Sequence, residues 1–596
     1  MGLTPSQENA ATIRDRTLLV SAAAGSGKTY TLTQRIIKAI IEDGQDLSRL
    51  LIVTFTRAAA GELKAKISKA LGEAIAEHPE NIHLQKQLIR LGSAHISTID
   101  SFFFEPVREN FEKLGLPASL RLSDESELAP IRDKILSETL DSFFDKCEPY
   151  SKAELSDVGY TTRYTELIGV ISAARDSSNN LPTFLYMYKK LMTSPSGLEQ
   201  LKTHSERLIH NASIDFFDTL EGKALKDELE STVRYAWKTF IKCSDDMQSD
   251  SFVASTYGAD FMENAELCHS LLSSIETGGY DEVKAAFDTY KPSKITSIKA
   301  DMKTERSEYY KKLRGELNKK ITDTAKKRLY LTQERLGELF LTYSEMCRVL
   351  YDVLSEFDKK YSEEKRRRGV CEFSDMPRFM LTLLLDENGN PTEYAKTLRE
   401  SFDEVYIDEY QDVNEIQDTI FAIIGGSHRF MVGDIKQSIY GFREAEPSIF
   451  ADYRRKFPIY NKANDTAPPA DGGSTVFMSE NFRCDENVIS FTNAVCRNIF
   501  SAFSDSIGYT PDDDLKFGKK NPHEGYVSPK ICLNLVQTPE SDGEIDEDEN
   551  ENENCDTGSS ESSKGLGDEA IVTANAIADL IRNEKKADGS PSPQVT

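Results

Sequence analysis

Apolar positions along this chain fall into two rhythms. In the first hundred residues, short runs apolar on both faces alternate with segments whose apolar positions recur at helical spacing. Residues 17–25 (TLLVSAAAG) read as a buried strand entering a glycine turn, and residues 50–56 (LLIVTFT) as a second buried strand. Residues 28–42 have helical periodicity, and residues 57–71 are Ala-rich and helical. Strands that are apolar on both faces, separated by helices, predict an α/β fold with a covered parallel sheet. From about residue 116 to 350 the pattern becomes long, charged and Leu-rich with helical spacing, which predicts an inserted helical subdomain. Strand signals return at residues 403–409 and 429–434, so the first sheet is completed only after the insertion. A strand at residues 474–480 predicts the start of a second α/β unit, with the Pro/Gly/Asp-rich stretch 465–473 as the boundary.

Length and charge refine this division. A chain of 596 residues is too long for one core. No run approaches the roughly 18 apolar residues of a membrane helix, and the N-terminal residues lack a basic stretch followed by an apolar core, so no secretory signal is expected. The nine cysteines stand singly without a CxxC pair, which fits free thiols in a reducing cytoplasm. The net charge of −27 argues at first against a nucleic-acid partner. Its distribution weakens that objection. Residues 540–569 carry 13 acids against Lys564 alone, whereas residues 291–328 carry 13 Lys or Arg against 5 acids. The first stretch is Ser-rich and without apolar periodicity, and residues 540–566 are expected to be disordered. The second is either the solvated face of a long helix or a track for phosphates. A helix and tail are expected over 567–596.

Two segments carry the chemistry. Ala22-Ala23-Ala24-Gly25-Ser26-Gly27-Lys28-Thr29 fits a phosphate loop with Ala in place of the first Gly, set between a strand and a helix. Its glycines let backbone N–H groups turn around phosphates, and the following helix N-terminus adds partial positive charge. Lys28 is expected to reach the β- and γ-phosphates of ATP and the Thr29 hydroxyl to bind Mg²⁺. Val405-Tyr406-Ile407-Asp408-Glu409 is an apolar strand ending in two acids, at the carboxyl edge where ligands bind parallel sheets. Asp408 is expected to hold Mg²⁺ and Glu409 to polarise the attacking water.

With these segments in place, Asp408-Glu409-Tyr410-Gln411-Asp412 resembles the DExxQD box of superfamily 1 helicases of the UvrD/Rep type. Further segments follow in the family's order. Leu3-Thr4-Pro5-Ser6-Gln7 resembles its N-terminal Q motif, which implies that Gln7 reads the adenine edge. Thr54-Phe55-Thr56-Arg57-Ala58-Ala59-Ala60 and Ser97-Thr98-Ile99-Asp100-Ser101-Phe102 resemble its DNA-contacting segments, although the second usually has His where this chain has Asp100. Gly433-Asp434-Ile435-Lys436-Gln437-Ser438-Ile439-Tyr440-Gly441-Phe442-Arg443 resembles the segment that couples γ-phosphate to DNA, and Asn481-Phe482-Arg483 the motif opening the second motor domain.

The resemblance implies a RecA-like P-loop NTPase fold. Gln437 is then the γ-phosphate sensor, Arg483 the arginine finger and Phe482 the adenine-stacking ring. Thr54, Phe55, Thr56, Ser97, Thr98, Phe102, Tyr440, Phe442 and Arg443 become DNA contacts. For the aromatic members, ordinary core packing is the alternative. Lys436 before the Gln, with Tyr410 in the box and Cys371-Glu372-Phe373-Ser374-Asp375, places the likeness in the RecB/AddA branch, on the AddA side. Gly441 departs from the Arg common at its position, which weakens one expected contact.

The expected organisation is a first RecA-like domain at 1–115 and 351–465, the helical subdomain at 116–350 and the start of a second RecA-like domain at 474–535. The resemblance implies an ATP-dependent 3′→5′ DNA translocase and helicase acting in double-strand break repair. It also implies a bacterial cytoplasmic setting, single- and double-stranded DNA as partners, and an AddB-like protein as partner. Later motor motifs and the nuclease cluster of AddA proteins find no match before Thr596, so the likeness is to roughly their N-terminal half. Two alternatives stay open: a fragment that binds ATP and single-stranded DNA without coupled unwinding, and a UvrD/Rep-type repair helicase.

Overall fold

The computed structural model describes residues 2–145, 163–164, 166–170, 181–441, 444–460, 472–500 and 509–518. Phe442, Arg443, residues 519–535 of the expected second domain, the acidic segment and the 567–596 tail lie outside the described residues. The chain divides into two compact units: Met1–Ser21 with Lys28–Val476, and Ala22–Gly27 with Phe477–Thr596.

The first unit is built on strands β1 (Thr17–Ala22), β2 (Leu50–Thr54), β3 (His95–Thr98), β6 (Glu404–Ile407), β7 (Arg429–Gly433) and β8 (Gly473–Met478). Short strands β4 (Arg121–Leu122) and β5 (Val370–Cys371) form a separate pair. The six-stranded order is β3-β2-β6-β7-β1-β8. The β2–β3, β2–β6, β6–β7 and β1–β7 pairings are all parallel. Every residue of β1, β2, β6 and β7 is buried, which is what their unbroken apolar runs require. Parallel neighbours need crossover helices, and Lys28–Ile41 and Arg57–Glu77 follow β1 and β2 in that role. This order sets the carboxyl ends of β6, β7 and β1 side by side, although 380 residues separate Lys28 from Asp408 in sequence.

Two boundaries differ from the expectation. The strand expected at 474–480 does not open a second domain, because β8 joins the first sheet beside β1, as its edge member. Its burial pattern explains the misreading, since a buried strand looks the same in either sheet. The expected break at 350 falls inside one helix, Gln333–Arg368, which ends only where Gly369 takes a left-handed φ of +65°. Immediately beyond it, β5 pairs in parallel with β4, tying the two ends of the insertion together.

The insertion has two cores. One gathers Leu136, Phe184 and Tyr188 against Val353, Phe357 and Tyr361 of the long helix. The other lies among helices Leu220–Met247, Ser251–Thr277 and Glu305–Arg328, with Val233, Phe240, Phe261 and Ile321 fully buried. Burial of each such side chain contributes about 1.5–3 kcal/mol. In Glu305–Arg328, Tyr310, Leu317 and Ile321 face this core, while Lys311, Lys312, Lys319, Lys320, Lys326 and Lys327 are exposed. The basic stretch is thus the solvent face of a core helix.

A buried ion pair ties helix Lys28–Ile41 to the start of β6. The Arg35 guanidinium, with no exposed surface, donates from Nε to Glu404 Oε1 at 2.8 Å and from Nη1 to the Ala10 carbonyl at 2.7 Å. Tyr406 donates its hydroxyl to the other Glu404 oxygen at 2.6 Å.

Candidate functional site

In the second unit, residues 22–27 form a turn in which Gly25 (φ +71°) and Gly27 (φ +83°) are left-handed. A Cβ on Gly25 would stand 2.8 Å from Asn481 Nδ2 and 3.0 Å from Arg483 Cβ, so the turn requires glycine twice over. Asn481 organises this region. Its Nδ2 donates to the Ala24 carbonyl at 2.7 Å, and its Oδ1 accepts the N–H groups of Arg483 (2.8 Å) and Cys484 (2.7 Å). The Phe482 N–H donates to the Gly25 carbonyl at 3.0 Å, and the Phe482 ring lies against Gly518. Arg483 itself is exposed. Ala22, Ala23 and Ser26 are buried and Ala24 is exposed.

In the first unit, Lys28 opens its helix and places Nζ 3.1 Å from Glu409 Oε2. Glu409 occupies a left-handed backbone, φ +52°, a strain of about 1–2 kcal/mol for a residue with a Cβ. Asp408, at the end of β6, accepts the Glu409 N–H at 3.0 Å. Burial, reinforced by the neighbouring Glu409 charge, pushes the Asp408 carboxyl up to about 6. Thr29 is half-buried next to Lys28, and its carbonyl accepts from the Thr33 hydroxyl at 2.6 Å.

Gln411 joins this end of β6 to the end of β7. Its Nε2 donates to Glu409 Oε2 (3.0 Å) and Asp412 Oδ2 (3.1 Å), while its Oε1 accepts the Asp434 N–H (3.0 Å). Asp434 in turn accepts from Gln437 Nε2 at 2.7 Å and pairs with Lys436 at 2.9 Å. Gly433 makes room for the bridge: a Cβ there would meet Gln411 Oε1 at 2.3 Å. A continuous hydrogen-bonded line therefore runs from Lys28 through Glu409, Gln411 and Asp434 to Gln437.

The residues expected at DNA divide. Phe55 and Tyr440, both half-buried, stack ring on ring at 4.6 Å. Thr56 caps helix Arg57–Glu77 by accepting the Ala59 N–H, and Thr54 donates to the Thr56 carbonyl. Thr98 likewise caps helix Ile99–Glu109, and Ser97 donates to the Thr98 carbonyl. Phe102 corrects the expectation. It is 5% exposed and packs against Phe103 and Phe402, because its helix turns that face toward the sheet. It is a core residue, not an open stacking surface. Gln7 is 4% exposed and closes a capping box with Thr4, whose N–H donates to Gln7 Oε1 at 3.0 Å.

Four residues without an individual role in the sequence reading prove central: Gln411, Asp412, Asp434 and Asn481. Each lies inside a recognised segment, so a signal existed. Their bridging roles depend on contacts between strands far apart in sequence.

Residues 3–458 match the family model described as the UvrD/REP helicase N-terminal domain. Among curated relatives, the chain is 31% identical to an ATP-dependent helicase/nuclease subunit from Heliobacterium modesticaldum, over 99% of this chain and 43% of that protein. It is 29% identical to the protein of the same name from Clostridium acetobutylicum, over 98% of this chain and 46% of that one. With that of Acetivibrio thermocellus the identity is 32%, over 90% and 43% respectively. The chain spans less than half the length of these relatives. A family match over more than three-quarters of the chain, on the same strands that carry the site, settles the grouping: this chain belongs to the UvrD/REP helicase family.

Proposed function

We propose that the chain binds and hydrolyses ATP and uses the cycle to translocate 3′→5′ along single-stranded DNA, as the motor portion of an AddA-like helicase–nuclease that acts on double-strand breaks. One observation carries this reading: the hydrogen-bonded line from Lys28 to Gln437, which joins a phosphate-binding lysine to a candidate base and then to a candidate sensor.

In this mechanism the N–H groups of residues 22–27 and the Lys28 ammonium hold the β- and γ-phosphates. Glu409, released from Lys28 by the incoming phosphates, orients and polarises the attacking water. The Gln411 amide keeps that carboxylate in place, so the base does not reorganise when charge develops. Gln437 donates to the γ-phosphate in one state and to Asp434 in the other. Arg483, whose turn Asn481 fixes, neutralises charge in the transition state, and Phe482 stacks on adenine.

Thr29 and Asp408 would hold Mg²⁺. The fit is good: a buried carboxyl crowded by Glu409 is the environment that a divalent cation relieves. Among the described residues no cluster of three or more His, Cys, Asp or Glu forms a metal cage. Two protein donors suit a cation that keeps its waters and binds with phosphates. When bound, the cation neutralises the phosphate oxygens and the leaving group.

Phe55 and Tyr440 would grip the strand by taking a base between rings that now stack on each other. Phe442 and Arg443 extend that contact, and Ser97, Thr98, Thr54 and Thr56 line its backbone side. An AddB-like partner would supply duplex engagement. Among the described residues no helix is long and apolar enough to cross a membrane.

The test is ATPase activity of the 596-residue chain with and without oligo(dT). DNA stimulation that disappears in Lys28→Ala supports the motor, and folded protein without stimulation overturns it. ATP and oligo(dT) binding without stimulation would favour a binding fragment without coupling.

A further inference from the structure

Where the insertion meets the first sheet, four successive backbone carbonyls are all held by groups from elsewhere in the chain. Arg378 donates from Nε to the Met192 carbonyl (3.1 Å), from Nη2 to that of Ser194 (2.5 Å) and from Nη1 to that of Pro195 (2.9 Å). The carbonyl between them, on Thr193, accepts the Ile416 N–H at 3.1 Å. Gly197, at φ +56°, leaves room for the guanidinium, since a Cβ there would stand 2.6 Å from Arg378 Nη2. A planar fork saturated by three carbonyls fixes direction as well as distance.

The groups at the other end of these contacts belong to the segments that follow the catalytic acids and the sensor. Ile416 lies four residues beyond Asp412. Lys190, at the end of helix Leu181–Met192, pairs with Glu444 Oε2 at 3.4 Å and Glu446 Oε2 at 3.6 Å. The two segments are also fastened to each other. Ser438 Oγ donates to Asp412 Oδ1 at 3.2 Å, and the Glu446 N–H donates to the Val413 carbonyl at 3.1 Å. Glu444 has a left-handed backbone, φ +61°, the kind of strained position that switch segments retain.

We propose that residues 190–197 form a mount through which the sensor segment sets the orientation of the helical insertion, with Lys190 and Arg378 as its positioning residues. This rests on the nucleotide reading above. When Gln437 exchanges Asp434 for a phosphate, residues 438–446 shift, and the Lys190 ion pairs carry that shift to helix Leu181–Met192. Arg378 is the fixed pivot and Lys190 the moving tie. Neither residue touches the site from Lys28 to Gln437.

Amide hydrogen exchange on the full chain, bound to ADP or to a non-hydrolysable ATP analogue, tests the mount. In the wild type, helices Leu181–Met192 and Gln200–Asn211 are expected to exchange at rates differing by about threefold or more between the two nucleotides. Lys190→Ala removes that difference and lowers DNA stimulation of the ATPase by a similar factor, with basal kcat and KM for ATP unchanged. Lys190→Arg keeps both. Lys190→Glu loses them, and adding Glu444→Lys with Glu446→Lys restores them. Arg378→Lys is a second probe; should it unfold, the Lys190 series still decides. The same nucleotide-dependent difference in wild type and Lys190→Ala overturns the mount, as does its absence from a wild type that binds both nucleotides. A wild type that binds neither nucleotide overturns the functional reading first, and the mount with it.

Discussion

Strand β6 carries charge at both ends, and the two ends are built to opposite purposes. At its start, Glu404 is 6% exposed and completely engaged: Arg35 takes one carboxylate oxygen and Tyr406 the other. Just past its finish, Asp408 is as deeply buried but has a second acid beside it and Lys28 as the nearby cation. Backbone geometry follows the same division. Glu404 is ordinary strand, whereas Glu409 is held left-handed. Burial of a carboxylate alone therefore does not mark a site. What separates the ends is whether the charge is balanced: a satisfied pair holds elements together, and an unbalanced one is poised for a ligand.

The largest effect should come from the unbalanced end. Glu409→Gln is expected to lower ATPase kcat about 10²- to 10⁴-fold by removing the candidate base. With 38% of its side chain exposed, Glu409 adds little to stability, so the melting temperature should hardly move. Steady-state ATPase and a thermal melt on the same sample check both halves. Unchanged kcat would break the contrast. Next comes the balanced end. Arg35→Met keeps most of the side-chain volume but strands Glu404, and should destabilise the fold by about 3–5 kcal/mol. Pairing it with Glu404→Gln should recover most of that loss. Urea unfolding of the two single variants and the double measures this, and a double variant no more stable than Arg35→Met would refute the pairing argument.

How much of this was legible in the sequence follows from the same contrast. The phosphate loop and Asp408-Glu409 were readable because each is local: a strand, a turn and a few side chains within about ten residues. The parallel sheet was readable because strands apolar on both faces leave few alternatives. The Arg35–Glu404 pair was not, since the partners lie 369 residues apart and a lone Arg on a helix reads as surface. Gln411 sat inside a recognised box, but its bridge to Asp434 exists only once β6 and β7 are neighbours. Phe102 was misread because a helical aromatic next to polar motif residues has the same pattern whether it faces DNA or the core. The end of the insertion was misplaced because Gln333–Arg368 keeps one periodicity across residue 350, and only Gly369 stops it.

The smallest effect probes how far the imbalance extends. Asp412 is 6% exposed, and burial raises its carboxyl to about 6, against which Ser438 and Gln411 donate only partial compensation. The folded state thus holds the Asp412 proton more tightly than the unfolded chain, whose carboxyl titrates near the ordinary value of 3.8. Any stability from this group is fully present below that value and is lost as pH rises through 6. Asp412→Asn removes the titration while keeping an oxygen acceptor for Ser438. Relative to wild type, the variant should therefore gain about 1 kcal/mol between roughly pH 4 and pH 7. The measurement is the difference in urea unfolding free energy between the two proteins across that range. A difference that stays flat would mean that Asp412 is balanced like Glu404, and that the poised region ends at Glu409.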